Sequence, residues 1–539
     1  MSREGSMVPA ASLWRLAVIL GLWFSYVLAQ APGGSVPIAN GTDLARELQT
    51  AFSAGGTRTL LISSDVTLDG AVYTMLNSTI DSGSVFINGT NSNRTSVVDL
   101  AMRSPAILSL SGAAKLYWTN LVFVNGCSMP VPWNENSTWV TIESSAHYFF
   151  AETRSQTMEA LGNTNVTAYV TQAEVFSLVY WIVVSQTPFQ EVKDAVKAAV
   201  DRFNGTTVAV REVTPYSVTL ASFRRLPYLS QNFTLRATND PSSPAAYRLP
   251  SLTSPAQPGT AMPHAFCNGT LLNTEQQQTN MSMFPIWIQK DSEGLQGALV
   301  AAANYTSNKH AADPPPVIFL TGNTTMGGEN GQFPAVTMRA ECMLHGPFNH
   351  DRTSRKLVSL SLGNRANTVQ LALLSKLYIS RLVVKDLMAA PLGNLAQDPL
   401  GDNYVSALPL WGINIASRVN VQVLLDNVTL VVPPDDFKAL LAAAQRGPQW
   451  KTGSVKTRPI INLIQQFVVD PTVPYNLQSL TLSTYLASGV SASNVIFVPS
   501  EPIADDNSPL PDIPSAPPPP ATQKKSNVAV AAGVGAGGG

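Results

Sequence analysis

The sequence predicts a mostly β chain built as two tandem β-solenoid units, each opened by an amphipathic helix and each carrying one inserted helix. Three observations predict it: segments repeat at a shift of about 261 residues, short stretches alternate apolar and polar residues as half-buried strands do, and an Asn followed by apolar, any, apolar recurs at Asn120, Asn232, Asn420, Asn427 and Asn494. Asn tolerates the left-handed conformation that a sharp turn between strands demands, and stacked Asn side chains hydrogen-bond from layer to layer. An antiparallel sandwich, whose strands also alternate, is the alternative.

The duplication is carried by three segments. Lys115 to Val124 aligns with Lys376 to Lys385, Val218 to Phe223 with Leu480 to Tyr485, and Asn232 to Leu235 with Asn494 to Phe497. Each unit opens alike. Thr42-Asp43 precedes Leu44, Leu48 and Phe52, the spacing of a capped amphipathic helix, and Arg58 to Ile62 follows as a strand. Asp291-Ser292 precedes Leu295 and Leu299, with Val317 to Leu320 as the strand. The inserted helices are read at Phe189 to Phe203 and Asp435 to Gln445, and Ala106 to Ser111 and Val419 to Leu430 read as strand and as strand-turn-strand. The first unit covers 36–240 and the second 284–500, joined by a Pro- and Ser-rich linker at 241–283.

Composition speaks to compartment. The chain has 34 basic and 35 acidic residues, a net charge of -1, and only 13% charged residues. That balance provides no field to draw it onto nucleic acid. Arg3 and Arg15 precede an apolar run from Leu16 to Leu28, and Val27-Leu28-Ala29 suits signal peptidase, so 1–29 reads as a signal peptide. A run of that length falls short of the ~20 residues of a membrane span. Acceptor sequons stand at Asn40, Asn77, Asn88, Asn93, Asn136, Asn165, Asn204, Asn268, Asn280, Asn304 and Asn323, and also at Asn232 and Asn427. Composition alone gives roughly six, so many are expected to be used, with glycans supplying the solubility that charge does not. If Asn232 and Asn427 stack in a ladder they are expected to stay bare.

The three cysteines, Cys127, Cys267 and Cys342, allow at most one intrachain disulfide, for which Cys127 with Cys267 is a candidate. Residues 501–526 are a Pro-rich stalk of extended polyproline II, and 527–539 a Gly/Ala/Val-rich tail that reads either as the start of a transmembrane helix or as a flexible end.

Cap helix, short β-coils and Asn turns resemble the pectin-lyase-like, right-handed parallel β-helix superfamily. The doubled pattern is similar to glycosylated extracellular regions of green-algal receptor-like proteins. The resemblance covers most of 36–500 and implies stacked three-strand coils whose first edge is covered by the helix. It also implies a Pro-rich stalk leading to a membrane anchor. Enzymes of the superfamily cleave pectic polysaccharides with Ca²⁺ and a base or with paired Asp residues. That set does not carry over. Asn163-Thr164-Asn165 ends without a carboxylate, Asp435-Asp436 opens a helix, and Leu344-His345-Gly346 lacks the first Gly. Glu341, Cys342, His345, His350 and Asp351 form the densest polar cluster, with Cys-x2-His-x4-His as a weak zinc pattern. Trp118, Trp133, Trp139 and Trp181 suit sugar stacking or a core equally. No catalytic, cofactor or metal residue is assigned.

The expected function is therefore a non-catalytic extracellular module with a polysaccharide or protein ligand and no nucleic acid. In the leading reading it is the ectodomain of a membrane-anchored receptor-like protein. A secreted matrix glycoprotein and a polysaccharide lyase or hydrolase are the alternatives.

Overall fold

In the computed structural model the described residues are 35–76, 78–90, 95–101, 108–126, 151–153, 159–202, 205–226, 228–247, 265–267, 270–272, 284–308, 313–326, 335–348, 357–363, 369–387, 413–415, 420–446, 449–451, 466–487 and 489–502. The signal peptide, nearly all of the stalk, the tail, most of the linker, Cys127 and the sequons at Asn77, Asn93, Asn136, Asn204, Asn268 and Asn280 lie outside them.

The chain is mostly β, with parallel sheets and few helices. After β1 (Val36–Ile38), it runs in circuits. β2 (Thr57–Ile62), β3 (Val66–Thr67) and β4 (Ser78–Ile80) make one circuit, and β5 (Ser84–Gly89), β6 (Ser96–Asp99) and β7 (Leu108–Leu110) the next. β8 (Lys115–Thr119), β9 (Leu121–Val124) and β10 (Ala151–Thr153) follow, then β11 (Leu161–Thr164) and β12 (Thr167–Val170). Each strand pairs in parallel with its counterpart one circuit away, as β2 does with β5, β6 with β9, and β4 with β7. An antiparallel trio, β13 (Thr207–Thr214), β14 (Ser217–Arg225) and β15 (Tyr228–Ala237), ends the run. β15 pairs with β11 through its first half and with β12 through its second, so the N-terminal sheet has the order β1-β2-β5-β8-β11-β15-β12-β9-β6-β3.

After a short hairpin, β16 (Ala265–Cys267) and β17 (Thr270–Leu272), the plan recurs. β18 (Ile286–Gln289) precedes circuits formed by β19 (Val317–Leu320), β20 (Thr324–Thr325) and β21 (Val336–Met338), then β22 (Cys342–His345), β23 (Ser359–Ser361) and β24 (Val369–Leu371). β25 (Leu377–Ser380), β26 (Val383–Lys385) and β27 (Ile413–Ile415) come next, followed by β28 (Val423–Asp426) and β29 (Thr429–Val431). The closing strands are β30 (Gln449–Lys451), β31 (Gln466–Val469), β32 (Leu480–Ala487) and β33 (Val490–Val498). The order β18-β19-β22-β25-β28-β33-β29-β26-β23-β20 repeats that of the N-terminal sheet strand for strand. The aligned segments of the sequence fall on β8–β9 and β25–β26, on β14 and β32, and on β15 and β33.

Left-handed residues divide the paired strands. Asn120, Asn165 and Asn232 have φ of 56, 52 and 49°, and Arg381, Asn427 and Asn494 have φ of 58, 50 and 51° at the matching turns. Asn420 is not among the left-handed residues, so that member of the Asn motif makes no left-handed turn. Close packing at these turns explains two glycines. A Cβ on Gly89 would lie 2.1 Å from the Asn120 carbonyl oxygen, and one on Gly346 would lie 1.9 Å from that of Arg381.

Helix α1 (Gly41–Ser53) covers β1, β2 and β5 with Leu44, Ala45, Leu48, Ala51 and Phe52. Its N-cap is Asn40, whose Oδ1 accepts from the Asp43 amide; Thr42 and Asp43 lie inside the first turn, so the helix begins ahead of the cap that the sequence suggests. Helix α2 (Gly70–Leu76) packs beside it. The largest correction concerns the first insertion. It holds α3 (Gln172–Gln186), α4 (Gln190–Ala195) and α5 (Lys197–Arg202), of which only the region of the last two was expected. Helix α3 is apolar on all sides, so it lacks the 3.6-residue alternation that marks an amphipathic helix. A capping box opens it: Glu174 N–H donates to Thr171 Oγ1 (3.3 Å), and Thr171 N–H donates to Glu174 Oε2 (2.8 Å). Helix α6 (Ser292–Asn308) buries Leu295, Ala298, Leu299, Ala302 and Ala303 on β18 to β21, as its spacing predicts. Helix α7 (Pro434–Arg446) buries Phe437, Leu440, Leu441 and Ala444.

Candidate functional site

The two sheets meet through α3, which packs on β14 and β15 on one side and on β18 on the other. This explains a difference between otherwise matching strands. β5 and β8 alternate half-buried and buried residues, whereas all four residues of β19, β22 and β25 are buried. One face of the latter strands turns into the C-terminal core through Ile318, Leu344 and Ile379. The other carries Val317, Phe319, Met343 and Tyr378 into one cluster with α3. A strand buried on both faces needs an unbroken apolar run, and Val317-Ile318-Phe319-Leu320 supplies it.

The seam has its own contacts. Tyr180 stacks on Phe284 at 4.9 Å and donates through its hydroxyl to the Pro315 carbonyl (3.0 Å). Trp181 meets Phe284 edge to face at 5.1 Å, and Phe189 lies 4.8 Å from the Tyr378 ring. At the rim, Glu191 of α4 accepts from Lys376 Nζ (2.5 Å) and from Tyr378 Oη (2.7 Å). Burial favours the neutral acid, but the hydrogen bonds from Lys376 and Tyr378 and the Lys376 charge outweigh it, holding Glu191 below its ordinary pKa. Burial, then the hydrogen bond to Glu191 and its charge, push the Tyr378 phenol up.

Beside this rim lies a groove of about 340 Å³ lined by Leu373, Leu374, Ser375, Lys376, Asn420, Val421 and Gln422. Leu373 and Leu374 are 62% and 80% exposed, while Gln422, 1% exposed, donates through Nε2 to the Ser375 carbonyl (3.1 Å) and shapes the floor. The groove offers apolar contact and one ammonium already engaged by Glu191. It does not pair a nucleophile with a base or bring two carboxylates together.

The fragments that echo catalytic motifs are scattered. Asn163 and Thr164 lie on β11, Asp435 is exposed in the first turn of α7 and paired with Lys438 at 3.1 Å, and His345 is 2% exposed, stacked on Phe319 at 5.4 Å. Cys342 and His345 stand three apart on β22, which puts them on opposite faces. Cys342 is buried in the C-terminal core, whereas His345 meets Phe319 and Phe348 on the other side. A Cys-x2-His chelate is thereby excluded; His350 and Asp351 lie outside the described residues. Among the described residues no group of three or more His, Cys, Asp or Glu converges. Trp118 and Trp181 are buried, at 4% and 3% exposure, and so do not serve as sugar platforms, while Trp133 and Trp139 are outside the described residues. Cys267 lies on β16, and its proposed partner Cys127 is not described.

Asn165 has a role that its sequon did not announce. Asn165 Nδ2 donates to Asn120 Oδ1 (3.1 Å), Asn232 Nδ2 donates to Asn165 Oδ1 (2.7 Å), and Arg211 donates to Asn232 Oδ1 (3.1 Å). The nitrogens of Asn165 and Asn232 that glycans would occupy are thus engaged in a ladder. Asn40 and Asn323 use their oxygens, in the α1 cap and toward the Ser359 amide, and Asn304 is exposed on α6. Among the described residues no helix is long and apolar enough to cross a membrane. No family model, characterised protein sequence or solved structure matches this chain.

Proposed function

We propose that this chain is a non-catalytic extracellular glycoprotein module, the ligand-binding ectodomain of a membrane-anchored receptor-like protein. Its two sheets would be tandem right-handed parallel β-helices of the pectin-lyase-like kind, displaying long surfaces to a polysaccharide or protein ligand. The observation that carries this reading is the repeated strand order, with left-handed residues recurring at a shift of 261 or 262 positions. Together with the dense sequons and the N-terminal apolar run, it suits a rigid, sugar-coated recognition scaffold. The test is expression of the full chain in a secretory host, followed by binding and turnover assays on cell-wall polysaccharides, pectate with and without Ca²⁺ included. Export with binding and no turnover is the expected result. Cleavage of any polymer would replace this reading with an enzyme, and retention in the cytosol would remove its extracellular premise.

A further inference from the structure

The face of the C-terminal sheet that α3 covers has a counterpart in the N-terminal sheet. Gly89 and Gly346 each sit under the carbonyl of a left-handed residue, which makes the preceding residues, Asn88 and His345, equivalent. His345 is buried under Phe348, and its neighbours Met343 and Tyr378 lie in the seam. Around Asn88 the corresponding face is half-buried. Ser84, Phe86 and Asn88 alternate with buried Val85 and Ile87 along β5, and Lys115, Tyr117 and Thr119 do the same along β8.

Residues two apart on a strand share a face, so Phe86 lies beside Asn88. Phe86 is opposite Tyr117 in register and stacked on it, with ring centroids 5.0 Å apart and planes at 11°. The stacked pair forms an aromatic shelf on this half-buried face, with Asn88 two residues along β5, between Leu61 and Thr119. Asn88 Oδ1 is buried and, among the described residues, has no hydrogen-bond partner. Asn88-Gly89-Thr90 is a complete acceptor sequon.

We propose that Asn88 carries an N-linked glycan whose first sugar packs on the Phe86–Tyr117 shelf, covering with carbohydrate the face that the C-terminal sheet covers with protein. The inference rests on the extracellular reading above. The linkage forms as Asn88 Nδ2 attacks the anomeric carbon of a polyprenyl-diphosphate-linked oligosaccharide. The new N–C bond replaces the C–O bond to the diphosphate, the amide loses one proton, and the polyprenyl diphosphate departs. The C–H face of an N-acetylglucosamine lies flat on an aromatic ring, which gives the shelf its chemical fit.

The test uses the full chain from a glycosylating eukaryotic host, with occupancy at every sequon read by mass spectrometry. Asn88 is expected to be occupied. Phe86→Thr and Tyr117→Thr, which keep strand-forming side chains on this outer face, are expected to lower occupancy at Asn88 and leave Asn304 unchanged. Asn88→Gln is expected to lower Tm by about 2 °C or more in the wild-type background. That loss should vanish when Phe86→Thr is already present. A bare Asn88 beside other occupied sequons overturns this proposal and leaves the extracellular reading intact. Bare asparagines at every sequon sink both. Occupancy and Tm indifferent to Phe86→Thr would overturn the packing.

Discussion

At Asn120, Asn165 and Asn232 two properties of one residue type meet: a backbone that accepts positive φ and a side chain that is both donor and acceptor. Asn165→Ala loses both, with about 1–2 kcal/mol for the left-handed turn and about 1 kcal/mol for the ladder. Asn165→Gly keeps the turn and loses only the ladder, so urea unfolding should rank wild type above Gly and Gly above Ala. The same engagement predicts that Asn165 and Asn232 are found without glycans by mass spectrometry of the secreted protein. Leu121 and Leu382 begin matching positions one residue past the turn, and both are fully buried. Leu121→Asp and Leu382→Asp each strand a carboxylate in the core and are expected to cost more than about 4 kcal/mol, blocking export. Normal secretion of either would show that these strands face the other way.

Among the elements, α3 and α7 follow matching circuits yet differ in character. Helix α7 is amphipathic, with Asp435 and Lys438 exposed, whereas all of α3 from Gln172 to Val184 is buried. The difference lies in what each meets: α3 has a sheet on both sides. Tyr180→Ala should therefore cost about 3–5 kcal/mol, and Tyr180→Phe, which loses only the donor to Pro315, about 1 kcal/mol. Equal losses in thermal unfolding would mean that ring packing on Phe284 contributes little.

For the whole molecule, the seam makes stability depend on pH. Glu191 binds its proton less tightly when folded, so its contribution is present above the ordinary carboxylate pKa of about 4.3 and is lost as pH falls through the lower folded value. Tyr378 holds its proton more tightly when folded, so stability is lost once pH rises above about 10. Melting temperature is expected to be flat between these limits and to fall outside them. Glu191→Gln should flatten the acid limb. Tyr378→Phe should soften the alkaline limb without abolishing it, because Tyr180 and Tyr485 are also raised by burial. An acid limb unchanged in Glu191→Gln would show that the rim contacts do not hold the seam.

What the sequence determined by itself was local and periodic. Apolar alternation placed β7, β28 and β29, the Asn motif marked the left-handed turns at Asn120, Asn232, Asn427 and Asn494, and apolar spacing placed α1 and α6. Each of these signals is written in neighbouring residues, because strand period, helix period and αL tolerance act over a few positions. Arg381 escaped the Asn pattern although its backbone takes the same turn, since its guanidinium donates to the Phe348 carbonyl and lies 5.9 Å from the centroid of that ring. Only the tertiary structure decided that Gln172–Gln186 is a helix held between two sheets, that Trp118 and Trp181 are core, and that Cys342 and His345 diverge. It alone also set Phe86 against Tyr117, 31 positions apart in the chain, beside Asn88. Register between circuits brings such residues together, and register depends on every turn between them rather than on any one stretch of sequence.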